Sequence, residues 1–159
     1  MRLNPRNRRK ALINPVRYLI GRSALGTERT DQELFPLWSH LYEASKGFAN
    51  GETTRTITIH LAAAFEVATL CKKARLQKVT SEAAEAWMEA DTAESGDKIT
   101  IDARTLRITR AFVRELDNVL PDTPVALWDT ARRRAIHRWD VAKANKLQIG
   151  TVSYPGLVI

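Results

Sequence analysis

Cysteine is almost missing from this chain, since Cys71 is the only one among 159 residues. A single thiol excludes a framework of internal disulfides and is typical of a protein of the reducing cytoplasm. Histidine is also scarce, and His40, His60 and His137 lie too far apart in the chain to form a metal-ligand pattern. We therefore predict neither a metal ion nor another cofactor.

Glycine, proline and long apolar runs are scarce as well. Seven glycines and six prolines are too few for a loop-rich fold. No apolar run has the length that a membrane span requires, so no membrane partner is expected. The apolar stretch near the N-terminus is interrupted by Asn14 and Arg17, which argues against a signal peptide. These features predict a folded cytoplasmic protein.

The known signatures of catalysis are not found. The chain has no nucleophile elbow, phosphate-binding loop, dinucleotide fingerprint or set of kinase motifs. Glu82, Glu85 and Glu89 share one helical face, but the Glu-x-x-His partner of a dinuclear site is missing. The sequence therefore indicates a protein that is not an enzyme, with no catalytic residues.

Positive charge is concentrated at the two ends of the chain. The net charge is +7 overall. Residues 1–30 carry eight Lys and Arg against one acidic residue, residues 31–128 carry eleven against fifteen, and residues 129–159 carry six against two. This asymmetry indicates a localised contact with a polyanion.

The N-terminal stretch LNPRNRRKALINPVRYLIGR contains the densest basic cluster: Arg6, Arg8, Arg9 and Lys10. Asn4 and Pro5 have the order of an N-cap followed by the first helical residue. Cations at a helix N-terminus are mildly unfavourable, so an anionic partner such as phosphate would relieve them. The alternative is a solvated arm without a fixed helix.

Apolar spacing predicts five helices after this arm, or six in total if the arm adds one. In the first, Thr30 and Glu33 form a capping box and the inward stripe consists of Leu34, Leu37, Trp38, Leu41, Ser45 and Phe48. The pair Asn50-Gly51 is interpreted as a stop signal after the first helix. The other helices are expected from Thr54 to Leu76, from Thr80 or Ser81 to the segment ESGD, from Asp102 as N-cap to Leu120, and from Thr123-Pro124 as cap to about Lys146. The inward stripe of the fourth helix consists of Leu106, Thr109, Val113, Leu116 and Leu120. The start of the second is left open because TITIH also alternates like a strand. All four tryptophans fall on inward stripes.

The expected fold class is all-α, a single-domain helical bundle. We expect a basic N-terminal arm at residues 1–29, the bundle at 30–146 and an apolar tail at 147–159. The tail, LQIGTVSYPGLVI, would be an exposed adhesive end unless it packs. It packs either on its own core or on a partner, and one such partner is a second copy of the chain.

Two helices carry one-sided basic faces. On the fourth helix, Arg107, Arg110 and Arg114 lie within about one-sixth of the circumference at 100° per residue. On the fifth, the outward residues are Arg133, Arg134, His137 and Arg138. Arginine binds phosphate or carboxylate in a bidentate manner, so both faces are candidate contacts for an acidic partner. The alternative is an ordinary solvent face with ion pairs within each helix.

Part of the chain resembles small helical proteins encoded by proteobacterial phages and conjugative elements. The resemblance rests on the basic start Asn4–Arg9, the leucine- and aromatic-rich helix Leu34–Gly47, the segment Gly51–Thr53 and the alanine-rich helix Leu61–Leu76. It spans about residues 4–120 and carries over no site residue. What it implies is a setting in a bacterial host cell, among accessory proteins that act as small regulators or as inhibitors of host systems such as CRISPR–Cas defences.

Two functional hypotheses follow. In the first, the protein is a non-enzymatic accessory factor that binds nucleic acid or a nucleoprotein complex through backbone contacts, without reading sequence. In the second, it is a stoichiometric inhibitor that contacts a host defence complex through protein–protein interactions of the anti-CRISPR type. The expected inward position of the tryptophans argues against stacking on bases, because stacking requires exposed aromatic rings.

Overall fold

The computed structural model describes residues 23–91 and 99–145, apart from the side chain of Asp91. The described residues form five α-helices and contain no β-strand. The helices are α1 (Gly26–Ser45), α2 (Gly51–Leu70), α3 (Ala74–Asp91), α4 (Ala103–Val119) and α5 (Val125–Ala144), with a short 3₁₀ turn at Leu120–Asp122. The all-α prediction is confirmed for this part of the chain. Residues 1–22 of the predicted arm and the whole of the predicted tail lie outside the described residues.

Helices α1 to α4 form a closed ring. Each packs on the next along the chain, and α4 packs back on α1. Helix α5 lies against α2. Because α2 is covered both by the ring and by α5, it has twelve buried residues, among them four alanines that allow close approach of its neighbours.

The start of α1 is joined to the start of α5 by backbone bonds. Leu25 N–H donates to the Thr123 carbonyl at 3.0 Å, and Val125 N–H donates to the Ser23 carbonyl at 2.8 Å. Glycine is required at position 26, because its φ of +74° is a backbone conformation that other residues rarely adopt. These bonds fix where both helices begin.

The predicted caps of α1 and α5 are wrong for the same reason. Helix α1 begins at Gly26 and not at Thr30, whose buried hydroxyl donates to the Gly26 carbonyl from inside the helix. Thr123 likewise donates its hydroxyl to the Val119 carbonyl and does not cap α5. In both places the tertiary backbone bonds replace the side-chain cap.

The boundaries of α2 and α3 also differ from the prediction. Asn50, interpreted as part of a stop signal, is the N-cap of α2 and accepts from the backbone N–H of Glu52 and Thr53. The predicted helix to Leu76 is interrupted at Lys72, which has a φ of +54°. As a result α2 ends at Leu70, and α3 begins at Ala74, well before the predicted Thr80.

Helix α4 agrees closely with its prediction. The Asp102 side chain accepts from Thr105 N–H at 2.6 Å, which is the predicted cap. That hydrogen bond holds the pKa of the Asp102 carboxyl below its ordinary value. Along the predicted inward stripe, Thr109, Val113 and Leu116 are buried.

Two aromatic residues on the predicted core stripe of α1 are exposed. Phe48 is 66% exposed and Trp38 is 37% exposed. The stripe is narrower than predicted, because Leu34, Leu37 and Leu41, with Thr30 and Ala44, fill the space between α1 and the core. The other three tryptophans, at positions 87, 128 and 139, are buried as predicted. None of the described helices combines the length and apolar character needed to cross a membrane.

Candidate nucleic-acid interface

The α4 arginine face consists of Arg107, Arg110 and Arg114. All three side chains are exposed, and in the described part of the chain none of them forms an ion pair. The nearby Arg104 differs, since it faces Glu89 of α3 at 3.7 Å. The ion pairs within the helix that would make this face an ordinary solvent face are not formed, so its three charges remain available to an anion.

The α5 basic face consists of Arg133, Arg134, His137 and Arg138, and its charges are engaged to different degrees. Arg134 donates to the Glu66 carboxylate of α2, whose side chain is only 15% exposed. Arg133 donates from Nε to the Asp129 carbonyl at 3.2 Å. His137 is exposed, and Arg138 is partly buried. Part of the positive charge of this face therefore stabilises the packing of α5 on α2.

The structure does not merge the two basic faces through helix packing. Helix α4 packs on α3 and α1, whereas α5 packs on α2. An antiparallel α4–α5 pair, which would join the faces side by side, is not formed. The remaining candidate residues, Arg6, Arg8, Arg9 and Lys10, lie outside the described residues.

An exposed aromatic stripe on α1 was missed by the sequence analysis. It consists of Phe35, Trp38 and Tyr42, which are 73%, 37% and 66% exposed. At about 100° per residue the three rings lie within about one-sixth of the helix circumference. Lys46 lies over the Tyr42 ring, with its ammonium 5.6 Å from the ring centroid. The spacing of these rings was available in the sequence, but it overlaps the leucine spacing of the core stripe.

The α1 aromatic stripe lies on the flank of α1 that is turned away from α2. His40 of α1 contacts Thr53 of α2 at 3.4 Å, which marks the α2 flank. All three rings are about 140–160° around α1 from His40, by helical spacing. Since α1 packs between α2 and α4, the rings lie on its outer surface toward α4.

A polar cleft lies on the opposite flank of α1, between α1, α2 and α5. Its volume is about 350 Å³. The Glu33 carboxylate of α1 accepts from Arg132 of α5 at 2.7 Å, and Arg29 donates to Asp129 at 2.7 Å. Glu33, predicted to belong to a capping box, instead joins α1 to α5. These ion pairs hold α5 in place.

His60 is buried at the floor of this cleft. Its Nδ1 lies 2.7 Å from the Thr56 carbonyl and its Nε2 lies 3.3 Å from the Glu33 carbonyl. Burial lowers the pKa of the His60 imidazole below 6.5, and the nearby Arg132 lowers it further, although the two carbonyls oppose the shift. His60 is therefore a neutral core histidine at pH 7.

We expect His60 to make folding stability pH-dependent. Below pH 6.5 the unfolded chain binds a proton on His60 that the folded chain excludes, so the free energy of unfolding falls as the pH falls. The slope for one such proton is about 1.4 kcal/mol per pH unit. In urea denaturation from pH 7.5 to 5.5, the free energy of unfolding of wild type should fall more and more steeply below pH 6.5, toward this slope, and should fall less in His60→Gln.

The matched control for this prediction is His137→Gln, at an exposed histidine of α5. This variant keeps His60 and should therefore keep the contribution of His60 to the pH dependence. An equal slope in wild type and His60→Gln would show that His60 does not titrate differently in the folded chain.

Among the described residues, no three His, Cys, Asp or Glu side chains lie close enough together to hold a metal ion. Comparison with protein-family models, with curated proteins and with solved structures finds no match for this chain. The functional argument therefore rests on the geometry and charge of the surfaces described above.

Proposed function

We propose that the protein is a non-enzymatic accessory factor that binds nucleic acid, or a nucleoprotein complex, through contacts with the phosphate backbone. The observation that carries this proposal is the α4 arginine face, where three exposed arginines have no acidic partner in the described residues. Arginines of this kind match the geometry of phosphate oxygens and release counterions when they bind.

The charge distribution supports the same function. The chain has a net charge of +7, although residues 31–128 are acidic overall. Three arginines on one face of an acidic segment, unpaired within the part of the chain that the structure describes, therefore make a local positive surface. Contributions from Arg6, Arg8, Arg9 and Lys10, and from the α5 basic face, remain predictions within this proposal. So does the cellular setting, a phage or mobile element in a bacterial cytoplasm.

The test is fluorescence anisotropy with labelled duplex DNA, single-stranded DNA and RNA at 50 and 200 mM salt. Wild type should bind at least one of them more tightly at low salt. In the triple variant Arg107→Ala, Arg110→Ala, Arg114→Ala, affinity should fall, and the slope of log K against log[salt] should become shallower by about two to three.

The control is the triple variant Lys73→Ala, Lys78→Ala, Lys143→Ala, which removes three positive charges at exposed positions elsewhere. This variant should bind nearly as wild type does. Equal losses in both variants would show that only net charge matters, and the α4 arginine face would then have no special role. If wild type binds no nucleic acid at low salt, the proposed function is wrong.

A stoichiometric inhibitor of a host defence complex, acting by protein–protein contact of the anti-CRISPR type, is the second candidate. The exposed rings of Phe35 and Tyr42 favour it, because aromatic residues and arginine are enriched at the centres of protein interfaces. One result would favour this function over the first. Wild type would capture a protein partner from host cells, Phe35→Ala would not, and neither protein would bind nucleic acid.

A further inference from the structure

We propose that the α1 aromatic stripe and the α4 arginine face form one continuous site for a short segment of single-stranded nucleic acid, with bases stacked on the rings and phosphates on the arginines. This inference rests on the proposed function and specifies its ligand. It reverses the sequence-based argument against base stacking, which assumed that Trp38 is buried.

The register of α1 and α4 brings the two sets of residues together. Ile99 N–H, just before α4, donates to the Ala49 carbonyl, just after α1, at 3.1 Å. At the other end, Leu25 N–H donates to the Thr123 carbonyl at 3.0 Å. The two helices therefore run antiparallel, and equal counting from both bonds places Trp38 level with Arg110.

The same counting pairs the remaining members of the two sets. Tyr42 is counted level with Leu106, one residue from Arg107. Phe35 is counted level with Val113, one residue from Arg114. Each set steps by three and four residues, so each covers about 10 Å of helix at 1.5 Å per residue. Each of the three aromatic residues therefore has one of the three arginines at about its own height across the α1–α4 boundary.

Helical spacing turns the rings of α1 and Arg110 of α4 toward that boundary. Arg75 of α3 pairs with Glu115 at 3.1 Å, which marks the α3 flank of α4. Arg110 is about 140° around α4 from Glu115, on the side of α1, and Arg107 and Arg114 point outward beside it. Because the rings lie on the α4 side of α1, both sets belong to one outer surface.

Single-stranded nucleic acid fits this surface better than a duplex does. Every base has an apolar face that stacks on an aromatic ring, and stacking is available only where bases are not paired. A duplex would contact the arginines and leave the rings of Phe35 and Tyr42 without a partner. Lys46, over the Tyr42 ring, adds positive charge at one end of the site, where the exposed Asp102 of α4 lies level with it by the same counting.

The other end of the site is acidic. Asp31 of α1 and Asp117 of α4 are both exposed and lie at the same height by the same counting. Their carboxylates would repel a phosphate. Three rings bounded in this way accommodate about two or three stacked bases, as aromatic platforms on other single-strand binding proteins do.

Trp38 provides a direct readout. Of the four tryptophans, Trp87, Trp128 and Trp139 are buried and only Trp38 is half-exposed. Stacking of a base on Trp38 should quench the intrinsic fluorescence. Unlabelled twelve-nucleotide oligothymidylate and oligouridylate are the probes, and a hairpin duplex of adenine–thymine pairs is the comparison. Trp38→Phe should abolish the quenching but keep most of the affinity.

The binding test uses the variant Phe35→Ala, Trp38→Phe, Tyr42→Ala, with Leu70→Ala, Val141→Ala as the control at exposed apolar residues elsewhere. The aromatic variant should bind both single strands at least about tenfold more weakly and the duplex unchanged. The control should bind all probes as wild type does. A preference for oligouridylate or oligothymidylate would identify RNA or DNA as the better ligand.

The failures are distinguishable. If wild type binds no probe, the proposed function fails and this inference fails with it. If the aromatic variant binds single strands as wild type does, while the α4 arginine variant has lost binding, the proposed function stands and the stacking site is wrong. The inference is also overturned if the α1 aromatic stripe captures a protein while the aromatic variant binds single strands as tightly as wild type does. Thermal unfolding of each variant shows that the fold is kept.

Discussion

Truncation of Phe112 should be among the most destabilising single substitutions in this protein. The ring lies on the inner face of α4 and has no solvent exposure. In Phe112→Ala the core loses the apolar contacts of the ring and keeps part of the cavity, so the free energy of unfolding should fall by about 3–5 kcal/mol. Urea denaturation of the purified variant measures this, and the midpoint should shift without a change in slope.

Phe35→Ala is the matched control, because the same atoms are removed from a ring that is 73% exposed. Its free energy of unfolding should stay within about 0.5 kcal/mol of wild type. A cost of several kcal/mol at Phe35 would show that this ring is covered in solution. The pair thus separates the two roles of phenylalanine: Phe112 holds the fold, and Phe35 is available to a partner.

The second large effect is expected at the hydrogen bond between α3 and α4. Trp87 donates from Nε1 to the Thr109 hydroxyl at 2.7 Å, and that hydroxyl donates to the Thr105 carbonyl at 2.7 Å. Thr109→Val keeps the shape but leaves the buried indole N–H without an acceptor. The free energy of unfolding should fall by about 1–3 kcal/mol, as for other buried unsatisfied donors.

Thr109→Ser separates this hydrogen bond from packing. Serine keeps the hydroxyl and loses one buried methyl group, a loss of about 1 kcal/mol. The valine variant should therefore be the less stable of the two in urea denaturation. If Thr109→Val is as stable as wild type, the indole N–H finds another acceptor, and the contact between Trp87 and Thr109 contributes little.

Local patterns predicted the fold class and most of the core. The apolar spacing of α4 and its Asp102 cap were read correctly, because both depend on residues a few positions apart. The starts of α1 and α5 were not predicted correctly, because they are set by backbone hydrogen bonds between residues that are distant in the chain. The break at Lys72 carries no glycine or proline signal and was missed for that reason.

The candidate site was predicted in part. Helical spacing identified the one-sided face of Arg107, Arg110 and Arg114, since it depends on a single helix. It could not show that Arg134 is paired with Glu66, which is 68 residues away in the chain. Nor could it show that Trp38 lies outside the core, because the leucines beside it fill the space and only the packed structure reveals this.

The seam between the starts of α1 and α5 has a consequence for the order of folding. Arg29 and Asp129, which pair across it, are 100 residues apart in the chain. By contrast, α2, α3 and α4 each pack on the helix that follows or precedes them. Contacts between distant residues form slowly because a long loop must close first. We therefore expect the helical hairpins α2–α3 and α3–α4 to assemble early during folding. The contacts between the starts of α1 and α5 should be the last to form and the first to break.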